Sequence, residues 1–146
     1  MLTWATLALI AGAAIALQAS INAQLGVQLR SALLGTAVAF AVSWAVSALA
    51  IVVSVRQYPN LATIQAVPWY LWLGGLFSAF GVGLFYFLIP RMGVGSMMSF
   101  ALSGQILVAV ICSHFGWFDL PVKPISVVRG LGIAALLAGI ALINWE

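Results

Sequence analysis

Five long apolar runs constrain this chain more than any other feature. They are Leu2–Leu25, Ser31–Val55, Trp69–Ile89, Ser96–Phe118 and Ile125–Trp145, and none contains Asp, Glu or Lys. Each run is 21 to 25 residues long. As helices they would extend roughly 31–38 Å, enough to cross a hydrocarbon core of ~30 Å. The ~10-residue segments of alternating polarity that a membrane β-barrel needs are absent. The sequence therefore predicts an all-α membrane protein, a single transmembrane domain over residues 1–146 with five spans. Charged residues make up 5% of the chain, against about 25% in soluble domains, so no water-facing surface can be built from them.

The few charges also exclude functions. The five Lys and Arg residues stand singly near the ends of the runs. They form no cluster that could track phosphates, so nucleic acid is not an expected partner. Cations at helix ends anchor beside lipid headgroups, which makes the bilayer the first partner. Cys112 is the only cysteine, which rules out an intrachain disulfide and any multi-cysteine metal site. In an apolar run such a thiol behaves as a small hydrophobe. No nucleophile–base pair, metal-ligand cluster or phosphate loop is present, so neither an enzyme, a metal nor a cofactor is expected. The first run lacks a positive n-region and is too long for a signal-peptide core, so it is expected to be a retained helix.

Breakers divide the runs. The links are Gly26–Arg30, Arg56–Pro68, Pro90–Gly95 and Asp119–Pro124, and all five prolines fall in or beside them. No proline is therefore expected to kink a span. Trp4, Trp69, Tyr70, Trp72, Trp117 and Trp145 lie near the run ends, as an aromatic belt requires, whereas Trp44 lies mid-run. Five spans would put the termini on opposite sides. One side then holds the N-terminus, Arg56, Lys123 and Arg129; the other holds Arg30, Arg91 and Glu146. The Lys/Arg count differs by one, which is almost no orienting signal. Insertion in both orientations is the expectation.

Polar groups inside the spans are costly unless they are buried in protein or reached by water. Gln18 and Asn22 are four residues apart and share a helix face; Gln24 points elsewhere. The pair could line a cavity and offer donors and acceptors to a substrate, or it could tie helices together. Ser96, Ser99 and Ser103 form a stripe at i, i+3 and i+7, with Gln105 off it. Serines so placed often bond their own helix carbonyls. Tyr86 and Ser78 add hydroxyls to the third run, and a deep Tyr86 hydroxyl needs a partner. Gly74, Gly75, Gly81 and Gly83 could admit a neighbouring backbone. Gly132, Ala135 and Gly139 give the last run a flat face suited to a subunit contact. His114, near the end of the fourth run, fits an interfacial position better than a proton-coupling one.

The second half of the chain resembles a small multidrug resistance transporter. The stretches that carry the resemblance are Pro90–Gly95, Ser99–Gly104, Ser113–Pro121 and Gly132–Asn144. In that family the last helix forms the dimer contact. The first half narrows the match. Leu17–Gly26, with Gln18 and Asn22, and a following extra helix containing Ala39-Phe40 resemble the YdcZ-type family of the drug/metabolite transporter superfamily. That resemblance covers nearly the whole chain. It implies an exporter of the bacterial inner membrane, multi-pass, with five helices forming half of a ten-helix fold. Where small multidrug transporters carry a glutamate in the first helix, Gln18 stands here and cannot ionise. The Gly-x-Gly expected after Ser103 is replaced by Gly104-Gln105-Ile106.

The expected function is a secondary transporter subunit that moves a small organic molecule as an antiparallel homodimer, or with a paired homologue. Inverted repeats place a site near the midplane at their interface. Gln18, Asn22, Tyr86 and Ser103 are the expected substrate-binding residues, and Gly132, Ala135 and Gly139 the expected dimer contact. Two other functions fit the same composition: a non-transporting assembly or regulatory subunit, and a carrier of lipid-like molecules. The charge count generates a test. Reporters fused to the C-terminus should report both cytoplasmic and external populations, and one added loop arginine should shift the ratio. A single orientation that such a charge leaves unmoved contradicts dual insertion.

Overall fold

The computed structural model describes residues 2–145 and is helical throughout its ordered elements. The helices are α1 (Leu2–Gln28), α2 (Ala32–Ser54), a short α3 (Leu61–Gln65), α4 (Gly74–Met92), α5 (Val94–Phe115) and α6 (Val127–Ile143). Short 3₁₀ segments at Trp69–Leu73 and Trp117–Asp119 lead into α4 and follow α5. Met1 and Glu146, the chain ends assigned to opposite sides by five spans, lie outside the described residues. The spans Leu2–Gln28, Ala32–Ser54, Trp69–Met92 and Val94–Phe115 are long and apolar enough to cross a bilayer. The fifth apolar helix, α6, has 17 residues, about 25 Å at ~1.5 Å per residue. The helices group into two compact units, one up to residue 91 and one from residue 92.

In the first unit α1 and α2 form a hairpin with a very short link. The Ser31 N–H donates to Gly26 O at 2.9 Å and the Arg30 N–H donates to Val27 O at 3.0 Å. This pair of bonds is the Schellman end of a helix, with Arg30 at the left-handed position that glycine usually fills. Its φ is 54°. Ser31 then caps α2, its hydroxyl accepting from the Leu34 N–H.

The hairpin closes through glycine. A Cβ added to Gly35 would lie 2.9 Å from Gly26 Cα, 3.0 Å from Gly26 N and 3.1 Å from Asn22 O. Ala19, Ala23 and Gly26 of α1 are buried, as are Gly35 and Thr36 of α2. Small residues at i, i+4 and i+7 thus let two backbones meet where lipid offers no hydrophobic drive for association. The Thr36 hydroxyl is spent on Ala32 O at 2.8 Å. Thr36 also lies 3.6 Å from where a Cβ on Gly83 of α4 would stand. Gly74, Gly75 and Gly81 have open space beside them, so of the α4 glycines only Gly83 meets a neighbour.

Several boundaries differ from expectation. Pro90 lies inside α4, which runs on to Met92, so the expected link Pro90–Gly95 shortens to Gly93 alone. Proline lacks the N–H that would reach the carbonyl of Tyr86, but one missing bond near a helix end is tolerated in membrane helices. The link Arg56–Pro68 contains α3, capped by Asn60, whose Oδ1 accepts from the Thr63 N–H at 2.8 Å. α5 stops at Phe115, three residues before the expected end, because Gly116 adopts φ 63° and closes the last turn onto Cys112 O.

In the second unit α5 packs on α6. Met97 and Ile140 are buried, and Asn144 Nδ2 donates to Ser99 Oγ at 2.9 Å and to Ile140 O at 2.8 Å. The segment between the two helices folds back on the end of α5. The Lys123 N–H donates to Ser113 O at 2.8 Å, and the Ile125 N–H donates to His114 Nδ1 at 3.1 Å. His114 thus latches the link to the end of α5.

The hairpin geometry generates a prediction. Gly35→Leu should lower the unfolding temperature of the detergent-purified protein markedly, since overpacking costs typically ~1–3 kcal/mol. Gly12→Leu, at a site with open space, should leave it near the parental value. Equal effects at the two positions would mean that the Gly26–Gly35 approach does not support the fold.

Candidate functional site

Gln18 and Asn22 lie one turn apart on α1, on the side of the helix that carries the hairpin contact. Asn22 is held there twice: its carbonyl abuts Gly35, and its side chain reaches Tyr86 of α4. Three hydrogen bonds close a triangle. Asn22 Nδ2 donates to Gln18 Oε1 at 2.9 Å and to Tyr86 OH at 3.0 Å, and Tyr86 OH donates to Gln18 Oε1 at 3.0 Å. Tyr86 is 2% exposed, whereas Gln18 and Asn22 are half-buried. The closed network meets the hydroxyl's need for partners in an environment where an unmet polar group is costly.

The network does not use all the polar capacity of the two carboxamides. A carboxamide has two N–H donors and an acceptor oxygen. Among the described residues Gln18 Nε2 and Asn22 Oδ1 have no hydrogen-bond partner, so one donor group and one acceptor remain. Both residues and Tyr86 line a cleft of about 530 Å³ between α1, α2 and α4. Its other walls are largely apolar, with Phe40 and Val42 from α2 and Val82 from α4. A concave, mostly apolar hollow with a few convergent polar groups is the usual form of a small-molecule site. There is no carboxylate to carry a proton or bind a cation in it, because the chain has no Asp or Glu before Asp119.

Ser103 belongs to the second unit. Its hydroxyl donates to Ser99 O at 3.1 Å, and the Ser99 hydroxyl donates to Ser96 O at 2.9 Å. The serine stripe thus bonds its own helix, and Ser99 also accepts from Asn144. The flat face of α6 is partly open: Gly132 and Ala135 are exposed and Gly139 is half-buried. A Cβ on Gly132 or Gly139 would meet nothing within 4 Å. Trp44 is 74% exposed, as a lipid-facing indole would be. Two residues escaped the sequence reasoning. Ser43 lines the cleft beside Phe40; its only signal was a hydroxyl inside an apolar run. Asn144 fastens α6 to Ser99, and its place at the end of the last run gave no hint of a partner.

No curated protein and no solved structure matches the chain. A family model does, over residues 3–142, and its description is "Putative inner membrane exporter, YdcZ". The match spans the polar triangle, the cleft and all but the end of α6. The chain therefore belongs to the YdcZ family of inner-membrane exporters and is a multi-pass protein of that membrane.

Proposed function

We propose that the chain is a secondary transporter subunit that exports a small, uncharged or weakly charged organic molecule through the Gln18–Asn22–Tyr86 cleft. The carrying observation is the closed triangle of hydrogen bonds on the wall of a hollow large enough for a small molecule. Gln18 Nε2 and Asn22 Oδ1 would meet an amide-like or hydroxyl-bearing edge of the substrate, and the apolar walls would take its body. Ser103, in the second unit, is proposed as a substrate contact on its own account. A lipid carrier would want a slot without fixed polar groups, so the carboxamides favour a solute. A subunit that only fastens helices would have no use for a hollow beside its polar residues.

The working unit proposed is an antiparallel pair of chains, each one half of a ten-helix fold, with Gly132, Ala135 and Gly139 at the contact. The support is the near balance of positive charge and the unpartnered small residues on α6. Two copies inserted oppositely would form inverted repeats, whose rocking gives alternating access.

The site is tested by a thermal-shift screen of small organic compounds, followed by flux of the hits in proteoliposomes. Gln18→Leu also leaves the Tyr86 hydroxyl without its acceptor, so unfolding temperature is measured alongside; per folded protein, flux should fall by an order of magnitude or more, as expected for ~1–3 kcal/mol per unmet polar partner. Parental flux in Gln18→Leu liposomes would remove this residue from the site. The pair is tested separately: Gly139→Leu should lower the cross-linkable dimer fraction in bilayers, because a bulky side chain holds backbones apart. An unchanged dimer would place the contact elsewhere.

A further inference from the structure

We infer that Arg30 and Arg91 form a binding site for an oxyanion, a phosphate or carboxylate group, at the end of the first unit. This inference is independent of the transport reading. The two residues line one hollow of about 520 Å³, together with Gly26, Ser31, Phe87 and Pro90. Two like charges on one hollow repel, and an anion between them removes that repulsion. The protein cannot supply the anion from within the unit, because residues 1–118 contain no Asp or Glu.

The Arg91 side chain is held in place, and Arg30 is positioned by its backbone. The Arg91 guanidinium lies 3.6 Å from the centroid of the Phe87 ring, and its Nη1 donates to Phe87 O. Stacking of this kind fixes a planar guanidinium and leaves its other N–H groups free to fork onto an oxyanion. Arg30 sits at a left-handed position, φ 54°, where glycine would cost less. Among the described residues its side chain has no hydrogen-bond partner. A strained backbone position given to an arginine with no internal partner is accounted for if the charge has an external one. Both residues project from helix ends, where an anion from either water or a lipid headgroup can reach them. Tyr86 also lines this hollow, so it forms a wall of both the oxyanion site and the carboxamide cleft.

The experiment uses the full chain in a neutral detergent, at constant ionic strength set with sodium chloride. Unfolding temperature is titrated with inorganic phosphate in one arm and with dihexanoyl phosphatidylglycerol in a second. Dihexanoyl phosphatidylcholine serves as the zwitterionic control. At least one anionic ligand should raise the unfolding temperature in a saturable way. The half-saturating concentration should rise roughly tenfold in Arg30→Asn and in Arg91→Gln, and stay parental in Arg56→Gln. Asparagine is used at position 30 because it tolerates the left-handed backbone. If either neutral variant fails to fold, Arg30→Lys and Arg91→Lys replace them; they keep the charge but lose the fork, and should weaken binding less. A response to phosphate supports the site and assigns it a soluble anion. A response to phosphatidylglycerol alone supports it and assigns a lipid phosphate. No saturable response in either arm, or one that survives every substitution at positions 30 and 91, overturns the proposal.

Discussion

The approach of Gly35 to the backbone of Gly26 and Asn22 is the contact on which the rest of the first unit depends. It brings α1 and α2 to a separation that no side chain would permit. It also fixes the rotation of α1, because the carbonyl of Asn22 is one of the atoms in contact. With that carbonyl set against α2, the side chain of Asn22 is held where Tyr86 of α4 can meet it. A backbone contact worth little in itself thereby determines where the polar chemistry of the membrane interior stands. In a solvent as apolar as lipid, close packing and hydrogen bonds are the main forces that can hold such a helix pair.

The triangle of Gln18, Asn22 and Tyr86 shows how a polar group can be both tied and available. A lone carboxamide in the bilayer would be a liability, and a fully satisfied one would have nothing to offer a ligand. Here one part of each carboxamide is spent within the protein and another part is left over. A hydroxyl bonded to both amides limits their rotation, so the remaining donor and acceptor keep their positions. In the proposed transport reading, preorganisation of this kind would reduce the ordering cost of binding.

Composition and run length made the helical membrane class legible, and short motifs made the family legible. Gln18, Asn22 and Tyr86 were legible as residues needing partners, because their polarity conflicts with lipid. Which partners they find was not, since Tyr86 is more than 60 residues from either carboxamide. Gly26 reads in the sequence as a chain breaker, yet it is the last small residue of a packing stripe; only the position of α2 distinguishes the two roles. Pro90 invited a helix boundary, but a proline near the end of a membrane helix removes a bond that the end would soon lose anyway. The capped turn at Asn60–Thr63 carries a recognisable cap and was hidden by its length of 5 residues. The serine stripe of α5 has the periodicity of a site and the hydrogen bonds of a helix satisfying itself.

In the proposed five-helix half α6 is the fifth span, and there its shortness would bear on the membrane rather than on the protein. At about 25 Å, a helix of 17 residues falls short of a ~30 Å hydrocarbon core. Such a deficit is met by local thinning of the lipid or by flanking residues that reach inward, at fractions of a kcal/mol per Å. Asn144 and Trp145 at one end and Ser126 at the other are the groups that would sit at those depths. Because α6 also carries the open glycine face, hydrophobic mismatch and the proposed helix association would act on the same element. Under that proposal acyl-chain length would act on the pairing of chains, with thicker bilayers rewarding any contact that hides the exposed ends of this helix from lipid.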